Sequence, residues 1–143
     1  MHNSEAIASD IRSLGIEKGS TILVHSSLRS LGIENAAQSL MQGLLLALGE
    51  EGTLLVPAFS YATVNAAQNS FDIKTTPSCV GSFTEFFRTQ PGVKRSLHPT
   101  HSVCGTGKNA GQILATHHLG NTPCGPDSPF AKVRNIGGKL VFI

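Results

Sequence analysis

A chain of 143 residues with 40% hydrophobic and 14% charged side chains, no Trp and a formal net charge of +2 is one soluble globular domain or part of one, long enough to bury roughly two thirds of the surface its unfolded form exposes. Its three cysteines, Cys79, Cys104 and Cys124, are an odd number without CxxC spacing, which argues against a disulfide framework and points to the reducing cytoplasm. A polar N-terminus and the lack of an apolar run near the ~18 residues of a membrane span argue against secretion and insertion, and so slight a basic excess argues against nucleic acid while tolerating a phosphorylated small molecule.

Ser4, Glu5 and the apolar positions Ala6, Ile7, Ile11 and Leu14 read as a capped amphipathic helix that Gly15 ends. Thr21–Val24 is a short strand leading into His25–Gly32. Asn35 and Gln38 have capping-box spacing, and Ala36, Leu40, Gly43, Leu44, Ala47 and Leu48 form a helical apolar face ending at Gly49. Thr53–Val56 is the next strand, closed by Pro57. Residues 62–81 show no periodicity and read as a long connection, a kind of loop that is usually functional or mobile. Ser82 and Glu85 suggest another capping box, opening a helix through Phe83, Phe86 and Phe87 that stops before Pro91. A strand is expected near Ser102–Cys104, a helix capped by Asn109 follows, Ser128 and Pro129 have the chemistry of another helix start, and Lys139–Ile143 reads as a buried strand.

Helices alternating with short apolar strands predict an α/β fold with a mainly parallel sheet covered on both faces. A chain closing on Leu140–Ile143, without a polar residue or a returning helix, leaves a strand edge with nothing written to cover it, so the fold is expected to be incomplete at its C-terminal side and the isolated chain to associate.

In open α/β sheets ligands sit beyond the carboxyl ends of the strands, which singles out His25, Ser26, Ser27, Leu28 and Arg29. Two hydroxyls, backbone N–H groups and a guanidinium suit an anion such as phosphate, although Ser is also ordinary turn chemistry. Residues Arg95, Ser96, His98, Thr100, His101 and Ser102 concentrate polar groups within one short segment that can bind or catalyse. Pro99 keeps His98 and His101 off a common helix face, so His98, His101 and Cys104 are poorly spaced for a metal, and no metal is expected. A Cys–His nucleophile using Cys104 or Cys124 is an open alternative, with buried structural thiols the plainer reading. His117 and His118 are placed at a helix C-terminus, where a protonated imidazole favours the dipole. Gly105, Gly107 and Gly111 have GxGxxxG spacing, which does not fit a dinucleotide fingerprint and suits a turn into the following helix.

The segments TILVHSSLRSLG at 21–32, EGTLLVPAFSY at 51–61, the long run 71–107 containing RSLHPTHS, TPCGPDSPFAKV at 122–133 and GGKLVFI at 137–143, in this order, resemble the aminoglycoside 3-N-acetyltransferase family, the antibiotic N-acetyltransferases that use acetyl-CoA. The resemblance implies that residues 1–143 are the N-terminal, CoA-binding part of a single domain about twice as long. It also implies that GGKLVFI leads into a segment beyond Ile143 carrying the catalytic His and Glu. On that reading His25–Arg29 receives the CoA pyrophosphate and pantetheine, and Arg95, Ser96, His98 and Ser102 form the other wall. His98 is the remaining candidate base within the chain. The partners implied are acetyl-CoA and an amine, an aminoglycoside in the resembling family, with neither nucleic acid nor membrane. A non-catalytic CoA-binding module, an acyltransferase acting on another amine and a cysteine hydrolase stay open as alternatives.

Overall fold

The computed structural model describes residues 4–143. Its elements run α1 (Ser4–Ser13), β1 (Thr21–His25), α2 (Leu28–Leu31), α3 (Ala36–Leu48), β2 (Thr53–Pro57), α4 (Ser82–Arg88), β3 (Lys94–Arg95), β4 (Val103–Gly107), α5 (Ala110–Leu114), a 3-10 turn at His117–Leu119, α6 (Pro129–Asn135) and β5 (Lys139–Phe142). The strands form one sheet in the order β3-β4-β2-β1-β5.

β1 lies between β2 and β5, parallel to both, with Leu23 opposite Leu55 and Leu140. β4 runs antiparallel to β2 and to β3, so it alone opposes the common strand direction. Only residues 96–102 join β3 to β4, too few for the crossover that a parallel pair requires. The mainly parallel sheet expected from the alternation is therefore present, with one reversal that periodicity does not reveal.

Each central strand alternates between two cores. Ile22, Val24, Leu54, Val56, Cys104 and Val141 pack with Ile7 and Ile11 of α1, Leu40 and Leu44 of α3, and Phe83 and Phe87 of α4. Leu23, Leu55 and Val103 face Ile113 and Leu114 of α5 and Val133 of α6. Burial on both faces is why β1 and β2 read as unbroken apolar runs. Gly43 lets α1 approach α3: a Cβ there would stand 2.6 Å from Cγ2 of Ile7 and 2.9 Å from the Ser4 carbonyl oxygen.

The second layer stops short of the edge. α5 and α6 have five and seven residues, and on β5 only Val141 is buried while Leu140 and Phe142 are 60% and 72% exposed. The double cover and the buried last strand expected from the sequence are therefore corrected at β5, which has no strand beyond it among the described residues.

Of the expected helix caps, Ser128 is the one formed: its backbone is extended, its side chain accepts the Ala131 N–H at 3.2 Å and Pro129 opens α6. Ser4 lies inside α1, and the cap position before it falls outside the described residues. Asn35 has φ 51°, a left-handed backbone without a side-chain cap bond. Ser82 is the first residue of α4 rather than its cap, and Glu85 reaches back to the Ser78 N–H at 2.8 Å. Asn109 has helical dihedrals and caps nothing; its own N–H donates to the Thr53 hydroxyl at 2.9 Å. A capping side chain must leave an extended backbone to reach the first turn, and these three residues are not so placed.

Candidate functional site

At the carboxyl ends of β1 and β2 the chain leaves the sheet through two loops, and between them lies a cleft of about 240 Å³. His25, Ser26, Phe59, Tyr61, Thr84 and His101 are among the residues lining it. The lining contains no carboxylate or ammonium group. It offers hydroxyls, imidazoles and aromatic faces.

The loop after β1 is held from its outer side. The Ser27 N–H donates to the Ile143 carbonyl at 2.7 Å and the Ile143 N–H to the His25 carbonyl at 2.9 Å, so one of the N–H groups expected to wrap an anion is already used. Ser27 has an extended backbone with no side-chain cap bond to α2, and Ser27 and Arg29 are exposed while His25, Ser26 and Leu28 are half-buried. The His25 ring stacks on Phe142, centroids 5.2 Å apart and planes 11° apart. Burial holds its imidazole below the ordinary value of 6.5, so it is neutral at pH 7.

The segment 95–102 turns most of its polar atoms inward. Arg95 donates to the Ser102 hydroxyl at 2.8 Å, to the Ala58 carbonyl at 3.0 Å and to the Thr76 carbonyl, with its guanidinium 5.0 Å from the centre of the Phe71 ring. Ser102 in turn donates to the Ala58 carbonyl at 2.9 Å. The long connection at 62–81 is thus tied to the sheet by Arg95, and to α4 by Arg88, which donates to the Lys74 carbonyl and to Glu85. Ser96 is buried, accepting the Val103 N–H and meeting Nδ1 of His117, each at 2.8 Å.

His117 is fully buried. Its Nε2 lies 2.9 Å from the Pro123 carbonyl, which can only accept, so Nε2 carries the proton and Nδ1 accepts from Ser96. Burial pushes its pKa down, partly offset by the bond to Pro123. The expected role as a protonated cap at a helix end is therefore corrected: a cation there would lose its solvation. His118 remains exposed.

His98 stacks against His117 at 4.6 Å and meets the edge of His101 at 5.8 Å. Its Nδ1 accepts the backbone N–H groups of Thr100 at 3.3 Å and His101 at 3.0 Å, which leaves the proton of the neutral ring on Nε2. Burial first, then the neighbouring His117 and His101, bring its pKa down to about 4. At neutral pH His98 is a fixed hydrogen-bond donor, poorly suited to remove a proton. His101 continues the stack toward the cleft, 4.8 Å from the Phe59 ring and 5.9 Å from Tyr61, with its Nδ1 2.8 Å from the Thr100 hydroxyl.

The cysteine alternative fails on environment. Cys104 is completely buried in the core beneath α3 and α4, and burial pushes its thiol up to about 12; a nucleophile needs the opposite shift. Both nitrogens of His117 are taken by Ser96 and Pro123, so it cannot activate Cys124, which is exposed like Cys79. Gly107, at φ +106°, makes the turn from β4 toward α5, the role its spacing suggested. Sequence reasoning missed Phe59, Tyr61 and the ring network from Phe130 through Phe59 to His101. The available signal was Phe59 and Tyr61 lying directly after the strand-closing Pro57, on the ligand end of the sheet.

A family profile described as Aminoglycoside 3-N-acetyltransferase matches residues 23–143. The chain belongs to this family. Among curated members it is 32% identical, over 90% of its own length and 55% of the other's, to the SPbeta prophage-derived aminoglycoside N(3')-acetyltransferase-like protein YokD of Bacillus subtilis. It is 29% identical to aminoglycoside N(3)-acetyltransferase III of a Salmonella species, over all of this chain and 56% of that one. Among solved structures, the apoenzyme of aminoglycoside acetyltransferase AAC(3)-IVa superposes with a TM-score of 0.88 at 32% identity, covering 98% of this chain and 54% of that one. AAC-IIIb, solved as a binary complex with CoASH, gives 0.87 at 27% identity over 98% and 58%. This acetyltransferase-family chain spans about half the length of the relatives it matches.

Proposed function

We propose that the chain provides the CoA-binding part of an acetyl-CoA-dependent N-acetyltransferase that modifies an amino group of an aminoglycoside, and so confers antibiotic resistance. The observation that carries this reading is the cleft at the carboxyl ends of β1 and β2, bounded by the loop 25–29 and free of carboxylates. Such a lining suits the amides and methylenes of pantetheine, while Ser26 in the lining and, next to it in sequence, Ser27 and the exposed Arg29 suit pyrophosphate. It does not suit a substrate with several ammonium groups, which needs a carboxylate-lined surface. The carboxylates of Asp72 and Glu85 are occupied, the first by the Lys74 and Thr75 N–H groups and the second by Arg88 and Ser78. Much of the aminoglycoside cleft is therefore assigned to residues beyond Ile143. Relatives support the pairing of ligands: AAC-IIIb was solved with CoASH and AAC-VIa with sisomicin.

Within the proposed site, direct contacts to CoA come from His25, Ser26, Ser27, Leu28 and Arg29, and from His98 and His101, whose rings meet edge to face. Arg95, Ser96 and Ser102 act from behind, by holding the loops that form the walls. Acetyl transfer then needs a base to take the proton of the attacking amine and donors to stabilise the oxyanion. The neutral, doubly anchored His98 does not supply that base, which we assign, with its orienting carboxylate, beyond Ile143. No helix among the described residues is long and apolar enough to cross a membrane. We place the protein in the cytoplasm, where acetyl-CoA is available.

The test is calorimetric titration of this chain with CoA, together with an acetyl-CoA assay in which thiol release is followed with sisomicin as acceptor. Weak CoA binding without turnover is expected. Absence of binding at millimolar CoA overturns the site, and robust turnover overturns the placement of the base.

A further inference from the structure

Aromatic rings from four separate stretches of the chain close a circuit behind the cleft. Between ring centres, His101 lies 4.8 Å from Phe59, Phe59 6.0 Å from Phe130, Phe130 6.3 Å from His117, His117 4.6 Å from His98, and His98 5.8 Å from His101. Every contact in it is tilted or edge-on, arrangements in which ring quadrupoles attract. Phe59 and His101 line the cleft, whereas His98, His117 and Phe130 stand behind it. All of these contacts lie within residues 59–130, and none involves β5.

Among these described residues only His117 is fully buried and bonded at both ring nitrogens. The bonds run in one direction. Val103 of β4 gives its N–H to the Ser96 oxygen, Ser96 gives its hydroxyl proton to Nδ1 of His117, and Nε2–H of His117 goes to the Pro123 carbonyl in the connection before α6. Turning the ring over would set carbon atoms against both partners and leave the buried Ser96 hydroxyl without an acceptor, which is costly. Burial above all, and then the charges that His101 and Lys132 of α6 can carry, disfavour a proton on His117 against the pull of Pro123, so the arrangement holds at neutral pH.

We infer that His117 is a positioning residue of the cleft which, on the reading proposed above, receives CoA: anchored to β4 through Ser96 and to Pro123, it sets the place of His101 through His98 and of Phe59 through Phe130. Each cleft ring thus has its own route to one fixed, buried ring, and displacing that ring moves both walls together. His117 touches no ligand itself. Its effect on binding comes from holding the half-buried rings where a ligand meets them, and small misplacements of that kind are expensive.

The experiment is calorimetric titration of the chain with CoA for the parent, His117→Gln and Gly43→Ala, with nitrogen NMR of the histidine side chains in each. Gln keeps a donor that reaches Pro123 and removes the ring. CoA affinity is expected to fall about fivefold or more in His117→Gln with an unaltered circular dichroism spectrum. The His98 ring, which titrates at about 4 beside His117 and His101, is expected to titrate closer to 6.5 in that variant. Gly43→Ala strains the helices on the other face of the sheet and is expected to leave both CoA affinity and the His98 titration as in the parent, which separates positioning from general stability. In the parent, saturating CoA is expected to move the His117 ring signals although that side chain does not line the cleft; should His117→Gln not fold, this measurement decides. A folded His117→Gln with affinity within about twofold of the parent, an equal loss in Gly43→Ala, or His117 signals unmoved by bound CoA overturns the role of His117 while the CoA site stands. A parent that binds no CoA at millimolar concentration overturns the site itself, and this role with it.

Discussion

Arg95 is where the sequence pointed to a ligand and the structure shows a clasp. Replacing it with Ala removes three hydrogen bonds, to Ser102, Ala58 and Thr76, and the contact with Phe71. Charged hydrogen bonds contribute about 1.5–3 kcal/mol each, so the gross loss is several kcal/mol. Two effects reduce it. The Ala58 carbonyl keeps its bond from Ser102, and removing the guanidinium relieves the burial that already lowers its pKa. A net destabilisation of about 2–4 kcal/mol is expected, in the range assigned to breaking a buried polar network. Arg95→Lys should recover less than half, because one ammonium cannot bridge two carbonyls and a hydroxyl with the fixed fork of a guanidinium. Urea unfolding measures the loss, and limited proteolysis should show new cleavage within residues 62–81. A variant within 0.5 kcal/mol (about the scatter of surface substitutions) and an unchanged proteolytic pattern would refute the clasp.

Acid should weaken the fold through its histidines. His25, His98 and His117 all have pKa values below the ordinary 6.5, His98 at about 4, so between pH 6.5 and 4 the unfolded chain binds protons that the folded chain refuses. Their contribution is complete above pH 6.5 and is lost as pH falls through that window; for the partly buried His98 it is about 1–2 kcal/mol after allowing for solvent screening. A Tm at pH 5 equal to that at pH 7.5 would contradict this. CoA affinity should separate the two arginines: Arg29→Ala should flatten its dependence on salt, whereas Arg95→Ala should lower affinity by a similar factor at every salt concentration, since only Arg29 is assigned to phosphate. Parallel salt slopes for both variants in calorimetry would reject the distinction. Gly43→Ala should cost about 1–2 kcal/mol, the clash with Ile7 outweighing the better helix propensity of Ala, and a Tm at or above that of the parent would show that α1 yields more easily than packed helices do.

Much of the fold is legible in the sequence because the signals are local. The runs Thr21–Val24 and Thr53–Val56 are apolar at consecutive positions, and only a strand covered on both faces demands that. The glycines after α1 and α3, the three-residue recurrence of apolar positions in α3, and the Ser128–Pro129 start of α6 are readable for the same reason. The end of the sheet that carries the cleft follows from where β1 and β2 stop. Which partner a polar side chain takes was not legible, even where that partner is near in the chain. The spacing of Ser82 and Glu85 is that of a capping box, yet Arg88 and the Ser78 N–H lie closer to the carboxylate and take it. His117 looks like a helix cap until the Ser96 hydroxyl and the Pro123 carbonyl converge on its two nitrogens. The inward turn of Arg95 belongs to the same class, and the reversed direction of β4 was not legible either. Apolar burial depends on a residue's own character and spacing, so the sequence by itself determined the buried central strands β1 and β2 and the helices α1 and α3 packed on them. A polar group answers to whichever complementary group the fold brings within about 3 Å, and only the tertiary structure decided those partners.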